Sequence, residues 1–361
     1  QPGCRRRTAP GDQARGGFGL SPANRAAALM RAVPELAPVT PAQQAAIRAA
    51  PPTPQAHRAL MAGLPGLNAV QTGGATPEGR VLPAEFTVLA WNLERCLFPE
   101  DSAAHVAPRA PSVILLSEMD HGMARTGQRH TTKAMAAALG MAYAFGVEFY
   151  ELALGGPVER SFCTDTFNAL GWHGNAILSA VPFEAVTMIR LDDAGLWFTE
   201  AHGEPRIGGR NAIAARLPGA AGPLCVVSTH LESNADAQHR ATQFDTLMDA
   251  VDAFAPGLPV VIGGDLNTGN HMPPDYDWRG EPLFARARAR GYDWSFTAPG
   301  LTTGPSLITR HPERRMKLDW ICARGLACTG CGILPAHDPQ GRPLSDHHPV
   351  WAEVAAPAQP R

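Results

Sequence analysis

Lysine is almost absent from this sequence. Only Lys133 and Lys317 occur among 361 residues, although lysine and arginine together number 31 against 33 aspartates and glutamates. The first 80 residues hold nine arginines, two glutamates and one aspartate, a charge of +6. Because the whole chain carries −2, the remaining residues carry −8. An acidic, lysine-poor region of this size disfavours an enzyme that clamps long duplex nucleic acid by its phosphates.

A long apolar segment is also missing. No run approaches the ~18 apolar residues that a membrane-spanning helix requires, so no transmembrane segment is predicted. No apolar region follows the three arginines at 5–7, and any export signal would have to lie upstream of Gln1. The cysteines number seven, an odd count that does not suggest a disulfide framework. We therefore expect a reduced, cytoplasmic protein.

The N-terminal part of the chain differs from the rest in amino-acid composition. Residues 1–20 are rich in glycine, arginine and proline and are predicted to be disordered. Residues 21–63 contain three places where a serine or threonine is followed by proline, a pair that is typical of a helix start. They predict short helices at 22–33, 41–50 and 54–63. Residues 64–84 are predicted to be a linker. The +6 charge leaves open a role in docking an acidic partner, in which case deleting 1–80 would leave turnover intact.

Residues 85–357 are predicted to form the catalytic domain. Apolar, β-rich runs recur there, and helices are predicted at 127–139 and 235–254. Many strands with little strict β-α alternation indicate two packed sheets flanked by helices. The predicted strands are 86–92, 112–118, 174–180, 184–190, 210–217, 223–230, 258–264, 317–323 and 348–355.

Acidic, amide and imidazole side chains follow the apolar runs. Asn92 and Glu94 end the first run two positions apart, so they point to one face of an extended segment. Converging carboxylates repel one another unless a cation is present, and oxygen ligands suit Mg²⁺ or Mn²⁺ better than zinc. Comparable positions in later runs are Glu118, Asp120, His230, Asp265, Asn267, Asp319, Asp346 and His347.

These motifs, taken in order, closely resemble the endonuclease/exonuclease/phosphatase superfamily of DNase-I-like, metal-dependent phosphoesterases. The resemblance covers about residues 86–356. It rests on Trp91-Asn92-Leu93-Glu94, Ser117-Glu118, Gly174-Asn175-Ala176-Ile177-Leu178-Ser179, Thr229-His230-Leu231-Glu232, Gly264-Asp265-Leu266-Asn267, Leu318-Asp319-Trp320 and Ser345-Asp346-His347-His348-Pro349-Val350.

The resemblance implies an α/β (α+β) fold: a four-layer α-β-β-α sandwich of two facing mixed sheets, here with the short helical N-terminal extension. It implies Mg²⁺- or Mn²⁺-dependent hydrolysis of a phosphate ester. Asp265 would orient and deprotonate the attacking water, and Asn267 would hold a phosphoryl oxygen. The other implied roles are metal binding by Asn92, Glu118 and Asp346, phosphate contact by His347 and His230, and orientation of His347 by Asp319.

The substrate is less well defined by the sequence. The leading prediction is a nuclease-like phosphodiesterase, so nucleic acid is one candidate substrate. The alternatives are a phosphomonoesterase acting on sugar or inositol phosphates and a sphingomyelinase-like phospholipase. A non-catalytic scaffold is disfavoured because the implied ligands and base are all present. The segment 144–172 is expected to be a substrate-side insertion, and we expect a monomer with no protein partner.

Several further residues are ambiguous from sequence alone. Glu94 could be part of the site or an exposed surface carboxylate. His173 is predicted to be structural and His348 a bystander. Arg210 and Arg240 are candidate substrate cations. The remaining aromatic residues of interest, expected in the core or at the rim rather than stacking on bases, are Tyr150, Trp197, Trp278 and Trp294.

Overall fold

A computed structural model describes residues 31–191, 206–270, 272 and 277–356. The strands within these ranges are β1 (Arg31–Val33), β2 (Ala69–Gly73), β3 (Glu85–Arg95), β4 (Val113–His121), β5 (Ala142–Glu151), β6 (Trp172–Ser179), β7 (Ala185–Arg190), β8 (Arg206–Gly208), β9 (Asn211–Leu217), β10 (Leu224–His230), β11 (Val260–Asp265), β12 (Asp319–Arg324), β13 (Ala327–Ile333) and β14 (Val350–Ala355). The α-helices are α1 (Pro41–Ala49), α2 (Pro54–Ala62), α3 (Pro99–Val106), α4 (Thr131–Leu139), α5 (Pro157–Arg160), α6 (Ala237–Phe254) and α7 (Pro282–Ala289).

The strands form two mixed sheets. The larger has the order β1-β2-β5-β6-β4-β3-β14-β13, with β8 pairing to β5. The smaller has the order β12-β11-β10-β9-β7. Each sheet contains a parallel pair at its centre, β3 with β4 and β10 with β11, and these pairs bring the polar strand ends of the sequence to one edge.

Three apolar clusters define the layers. One lies between the sheets, where Val88 and Leu115 of the larger sheet pack with Val226 and Val261 of the smaller. A second covers the outer face of the larger sheet, under α1, α3 and α4. The third lies between the smaller sheet and helices α6 and α7. The fold is therefore the expected sandwich of helices, two facing sheets and helices. Among the described residues, no helix is long and apolar enough to cross a bilayer.

The N-terminal region differs from its prediction. Helices α1 and α2 form where expected, and the hydroxyls of Thr40 and Thr53 cap them. Residues 31–33, however, form a strand rather than the end of a helix, and pair in parallel with β2. Residues 69–73, predicted to be linker, pair with β5. The many glycines at the ends of that segment led to the prediction of a linker. The segment nevertheless contains a short strand, Ala69–Gly73, whose first three residues are buried. Residues 1–30, with the predicted disorder and most of the first helix, lie outside the described residues.

The segment 144–172 is also different from its prediction. Its first part is β5, every residue of which is buried and which pairs with β2, β6 and β8. Only residues 152–171 form connecting structure, including the short α5. The glycine, aromatic and charged residues that suggested an insertion belong, up to Glu151, to this buried strand.

Close packing between β10 and β11 requires a glycine beside the site. Gly264 has φ +147° and pairs with Thr229, and a Cβ at this position would collide with the Thr229 carbonyl oxygen. Gly263 faces the other sheet, where a Cβ would lie 2.8 Å from a Leu115 methyl group. The two glycines therefore serve the approach of strands and sheets that carries Asp265 into position.

Candidate active site

Three neighbouring strands of the smaller sheet place ionisable side chains at the same level: β10 and β11 end there, and the antiparallel β12 begins there. The register pairs His230 of β10 with Asp265 of β11, and Asp265 with Asp319 of β12. All three are nearly inaccessible, with exposures of 3%, 2% and 0%. The parallel arrangement of β10 and β11 thus assembles one wall of the site from residues that are far apart in sequence.

Glu94 and Glu118 reach the site through irregular strand ends. The pairing of β3 with β4 shifts register between Asn92 and Arg95, and β4 is also irregular where it pairs with β6. Glu94, Arg95 and Glu118 have φ of 44°, 80° and 58°. These left-handed conformations are costly for residues with side chains, and bulges of this kind redirect side chains near functional sites.

Asp265 lies at the centre of the polar contacts. Its Oδ2 accepts a hydrogen bond from Asn92 Nδ2 at 3.0 Å, and lies 3.6 Å from His230 Nε2 and 3.8 Å from His347 Nε2. Its Oδ1 accepts from the backbone N–H of Asn267 at 2.9 Å. Burial raises the pKa of Asp265, and the two imidazoles only partly oppose that rise.

His347 is held by a carboxylate behind it. Its Nδ1 lies 2.8 Å from Asp319 Oδ2, and its backbone oxygen accepts from Trp91 Nε1 at 2.8 Å. Burial alone would lower the pKa of His347, but the negative charges of Asp319, Asp265 and Asp346 hold it well above its usual value. Asp319 therefore orients the ring, and the raised pKa of His347 favours the form that can donate hydrogen bonds to an anion.

His230 belongs to a second buried ionic group. Its Nδ1 lies 3.3 Å from Glu148 Oε2, and the Arg210 guanidinium lies 3.0 Å from that same nitrogen. Arg210 also donates to Glu148 at 2.8 Å and lies 3.4 Å from Glu232. Although burial raises the pKa of Glu148, Arg210 and His230 lower it to about 2. The carboxylate therefore stays charged and holds both the imidazole and the guanidinium.

A group of acidic side chains surrounds Asn92. Asn92 Nδ2 donates to Glu118 Oε1 at 3.0 Å, and the backbone N–H of Asp346 donates to Glu94 Oε2 at 3.1 Å. Burial and the charge of Asp346 raise the pKa of Glu94 to about 9. Burial also raises the pKa of Asp346. Glu118 behaves oppositely: burial raises its pKa, but the paired Arg95 guanidinium outweighs this and holds it well below its usual range.

This donor set fits a hard divalent cation. Glu94, Glu118 and Asp346 supply carboxylate oxygens near one another, and burial, followed by the charges of Asp346 and Glu118, raises the pKa of Glu94. Asn92 is oriented differently from a simple ligand, because its amide oxygen accepts from the Glu94 backbone N–H at 3.0 Å. Its predicted role in metal binding therefore stays a prediction.

A second group of possible metal ligands is Asp265, Asp319 and His347, whose candidate atoms lie within 4.8 Å of one another. The hydrogen bond between His347 Nδ1 and Asp319 already uses two of these groups. We therefore assign the set to an Asp-His pair beside an acid. Glu94, Glu118 and Asp346 are the other side chains that could hold a cation.

The site opens into one cavity of about 200 Å³. Asp265, Asn267, His230, His347, Glu118 and Asp346 line it, as the sequence had suggested for a common site. Five further residues line the cavity although the sequence did not predict them as part of the site: Arg95, Phe149, His173, Arg206 and Arg314. His173, predicted to be structural, does bond to buried Asp120 at 2.8 Å, yet its ring forms part of the cavity wall.

Some candidates lie outside the cavity. Arg240 is completely buried and pairs with Glu281, so it is a structural cation rather than a substrate ligand. Its helix turns this arginine toward the protein interior. Trp278 and Trp294 pack in the cluster beneath α6 and α7, and Tyr150 packs under the N-terminal helices, as expected for core residues. Trp197 lies outside the described residues.

Asn267 lines the cavity but is extensively bonded within the protein. Its Nδ2 donates to the Leu231 carbonyl at 3.0 Å, and its amide oxygen accepts from Asn270. One Nδ2 proton is left for a ligand in this arrangement, because the amide carries two donors. Its predicted contact with a phosphoryl oxygen needs only that one.

The sequence was then compared with known proteins. The family described as the Endonuclease/Exonuclease/phosphatase family matches residues 89–347, most of the chain. The chain belongs to this family. Members are phosphoesterase hydrolases that generally depend on a divalent metal, and phosphoesterase is the general class to which this chain is assigned. No curated protein matches the sequence.

Solved structures agree on the fold. An endonuclease/exonuclease/phosphatase from Beutenbergia cavernae is 18% identical, with TM-score 0.54, over 76% of this chain and 72% of that one. A functionally unknown conserved protein from Enterococcus faecalis is 14% identical, with TM-score 0.53, over 75% and 100%. The human Nocturnin catalytic domain with bound sulfate anion is 17% identical, with TM-score 0.52, over 80% and 98%.

Proposed function

We propose that this protein is a Mg²⁺- or Mn²⁺-dependent phosphodiesterase in which Asp265 is the general base. The observation that carries the proposal is the position of Asp265, buried between His230 and His347 and bonded to the same Asn92 amide that contacts Glu118. The Asp265 carboxylate, two imidazoles and the acidic side chains of Glu118 and Asp346 border one cavity, and this supports the proposal. Phosphoryl transfer requires this combination of positioning and charge neutralisation.

Glu118 and Asp346, with Glu94 and Asn92 beside them, would hold the cation. A bound divalent ion would neutralise charge on the phosphoryl oxygens. Asn92 connects this group to the base, because its Nδ2 contacts both Glu118 Oε1 and Asp265 Oδ2 at 3.0 Å. The amide therefore fixes the spacing between the two parts of the site.

Asp265 would orient a water molecule and take its proton as the new P–O bond forms. The P–O bond to the leaving alkoxide would break in the same step, and the alkoxide would take a proton from solvent water. The Oδ1 contact with the Asn267 backbone and the Oδ2 contact with Asn92 fix the carboxylate plane. Its raised pKa makes Asp265 a stronger base than an exposed aspartate, and a positioned base contributes ~10²–10⁴ in rate.

His347 would donate to a phosphoryl oxygen through Nε2, since Asp319 occupies Nδ1. His230 would do so from the opposite side of Asp265, with Glu148 and Arg210 fixing its ring. Both contacts become stronger as negative charge develops on the transferring group, which is how such donors lower the barrier.

A phosphomonoesterase is the second candidate. The cavity is small, about 200 Å³, and Arg95, Arg206, Arg210 and Arg314 contribute to its lining. Several guanidinium groups around a compact space favour a terminal, doubly charged phosphate. The similar Nocturnin domain contains a bound sulfate, an anion of comparable size. An internal phosphate of a nucleic acid strand is the competing substrate.

The test compares hydrolysis of bis-p-nitrophenyl phosphate and p-nitrophenyl phosphate in Mg²⁺, in Mn²⁺ and in EDTA. We expect metal-dependent cleavage of the diester that EDTA abolishes and added metal restores. Preference for the monoester would replace the phosphodiesterase by the phosphomonoesterase. Cleavage that persists unchanged in EDTA would contradict the proposed metal dependence.

A further inference from the structure

One wall of the cavity is the outer part of the larger sheet, where β6, β5 and β8 lie side by side. His173, Phe149 and Arg206 come from these three strands and line the cavity. The intervening residues Trp172, Tyr150 and Ile207 are in register with one another and belong to the apolar cluster on the other side of the sheet. Because successive side chains of a strand point to opposite faces of the sheet, this wall has two faces. The face that lines the cavity is the substrate face, and the face in the apolar cluster is the backing face.

The N-terminal segment 41–68 covers the backing face. Ile47 of α1, together with Leu64 and Leu67, is buried in the same cluster as Tyr150 and Trp172. The fit is tight, because a Cβ on Gly66 would lie 2.6 Å from the Trp172 ring.

A direct polar bond ties α2 to β8. His57 Nε2 accepts a hydrogen bond from the backbone N–H of Gly208 at 3.1 Å, and the His57 side chain is 2% exposed. Gly208 lies between Arg206 and Arg210, which both line the cavity. It has φ +149° and pairs with Phe149. A strand of three residues forms few hydrogen bonds with its neighbouring strand. The additional hydrogen bond to His57 therefore contributes much to holding β8 in place.

We propose that segment 41–68, and His57 in particular, is a positioning element of the active site: it holds Arg206 and Arg210 where they bind the anionic phosphate of the substrate. The inference rests on the proposed function, because it takes the occupant of the cavity to be a phosphate group. His57 acts through Gly208 and not by touching the substrate. The segment is therefore part of the catalytic unit rather than a separate docking element.

The experiment measures inorganic phosphate binding by calorimetry in Mg²⁺, together with kcat and KM for the better p-nitrophenyl ester. His57→Ala removes the acceptor, His57→Gln keeps an oxygen acceptor at similar reach, and Gln55→Ala removes an exposed polar side chain from the same helix as a matched control. We expect His57→Ala to weaken phosphate binding and raise KM about threefold to tenfold while kcat changes little. We expect His57→Gln to recover most of the loss and Gln55→Ala to have no effect.

A double-mutant cycle separates positioning from general stability. Arg206→Gln should weaken phosphate binding, and His57→Ala in that background should add little, because the residue that it positions has been removed. Full additivity, or a loss of thermal stability in His57→Ala and His57→Gln without any change in phosphate affinity, would overturn the inference. Should His57→Ala not fold, His57→Gln and Arg206→Gln still complete the comparison.

The two proposals fail in different ways. A wild-type protein that hydrolyses phosphate esters but shows no dependence on His57 would contradict this inference alone. A protein that hydrolyses neither ester, yet binds phosphate in a His57-dependent manner, would contradict the proposed function and support the positioning role.

Discussion

Glu94 illustrates how burial changes the chemistry of a single residue at this site. It follows Asn92 by two positions, as in a regular strand, but its backbone is left-handed, the residue is 9% exposed, and its carboxylate accepts from the Asp346 backbone N–H. From sequence it could have been an ordinary surface acid. In the structure, burial and the neighbouring charge of Asp346 raise its pKa to about 9.

We predict that the metal-free protein loses stability as pH rises from about 4.5 to about 9. In the unfolded chain Glu94 titrates near 4.5, whereas burial and Asp346 keep it protonated in the folded protein up to about 9. Unfolding in this range releases a proton, so higher pH favours the unfolded state. A divalent cation reverses the preference, and the increase in Tm on adding Mg²⁺ should be larger at about pH 8 than at about pH 6.

Thermal unfolding with and without Mg²⁺ at both pH values measures this effect. Glu94→Gln is the matched variant, because it keeps the shape and removes the titration, and it should flatten the pH dependence of the metal-free protein. An equal Tm increase at both pH values in the wild type would contradict the assignment of Glu94 to the cation-binding group.

At the scale of elements, the N-terminal helices and β1–β2 are built into the larger sheet. The prediction of a linker failed because the pairing of β2 depends on β5, a partner about 70 positions away that no local pattern reveals. The helices themselves were predictable, since a hydroxyl residue followed by proline is a local signal. The segment's contact with the active-site wall follows from the tertiary fold alone.

Gly66 provides a test of this packing. Gly66→Ala should destabilise the protein by about 1–3 kcal/mol, because the new Cβ would lie 2.6 Å from the Trp172 ring inside a packed cluster. Gly63→Ala is the control: its Cβ would lie 3.5 Å from its nearest neighbour, the Leu60 carbonyl oxygen. Denaturant unfolding should separate the two variants. Equal stability would mean that the N-terminal segment does not pack on β6 as described.

Within the site, too, some residues could be predicted from the sequence and others could not. The strand-end residues Asp265, His347 and Asp319 were recognisable because they lie in ordered motifs. Arg95, Arg206 and His173 were not, because an arginine or a histidine in a strand carries no signal until its partners are known. Glu159, for example, contacts Arg95 at 2.9 Å from a segment that sequence alone left undefined. The side chains that converge around Asp265 could therefore be predicted from their motifs, and the arginines and the histidine that also line the cavity could not.

At the scale of the whole molecule, charge is distributed unevenly. Residues 81–361 carry −8, yet several arginines line the cavity beside Asp265. A cation among the acids and guanidinium groups on the facing wall would give the cavity the positive field that the surface around it lacks. Recognition of this type favours a compact anionic group over an extended polyanion, which requires many phosphate contacts along a surface.

The most direct test of the account is the turnover of Asp265→Asn with the preferred p-nitrophenyl ester in saturating Mg²⁺. Asp277→Asn is the control, because that aspartate is exposed and caps a short turn away from the cavity lining. We predict that Asp265→Asn lowers kcat by at least ~10² with an unchanged fold, since the amide cannot accept the proton of the attacking water. Asp277→Asn should retain wild-type turnover. Wild-type turnover in folded Asp265→Asn would contradict the central claim that Asp265 is the base.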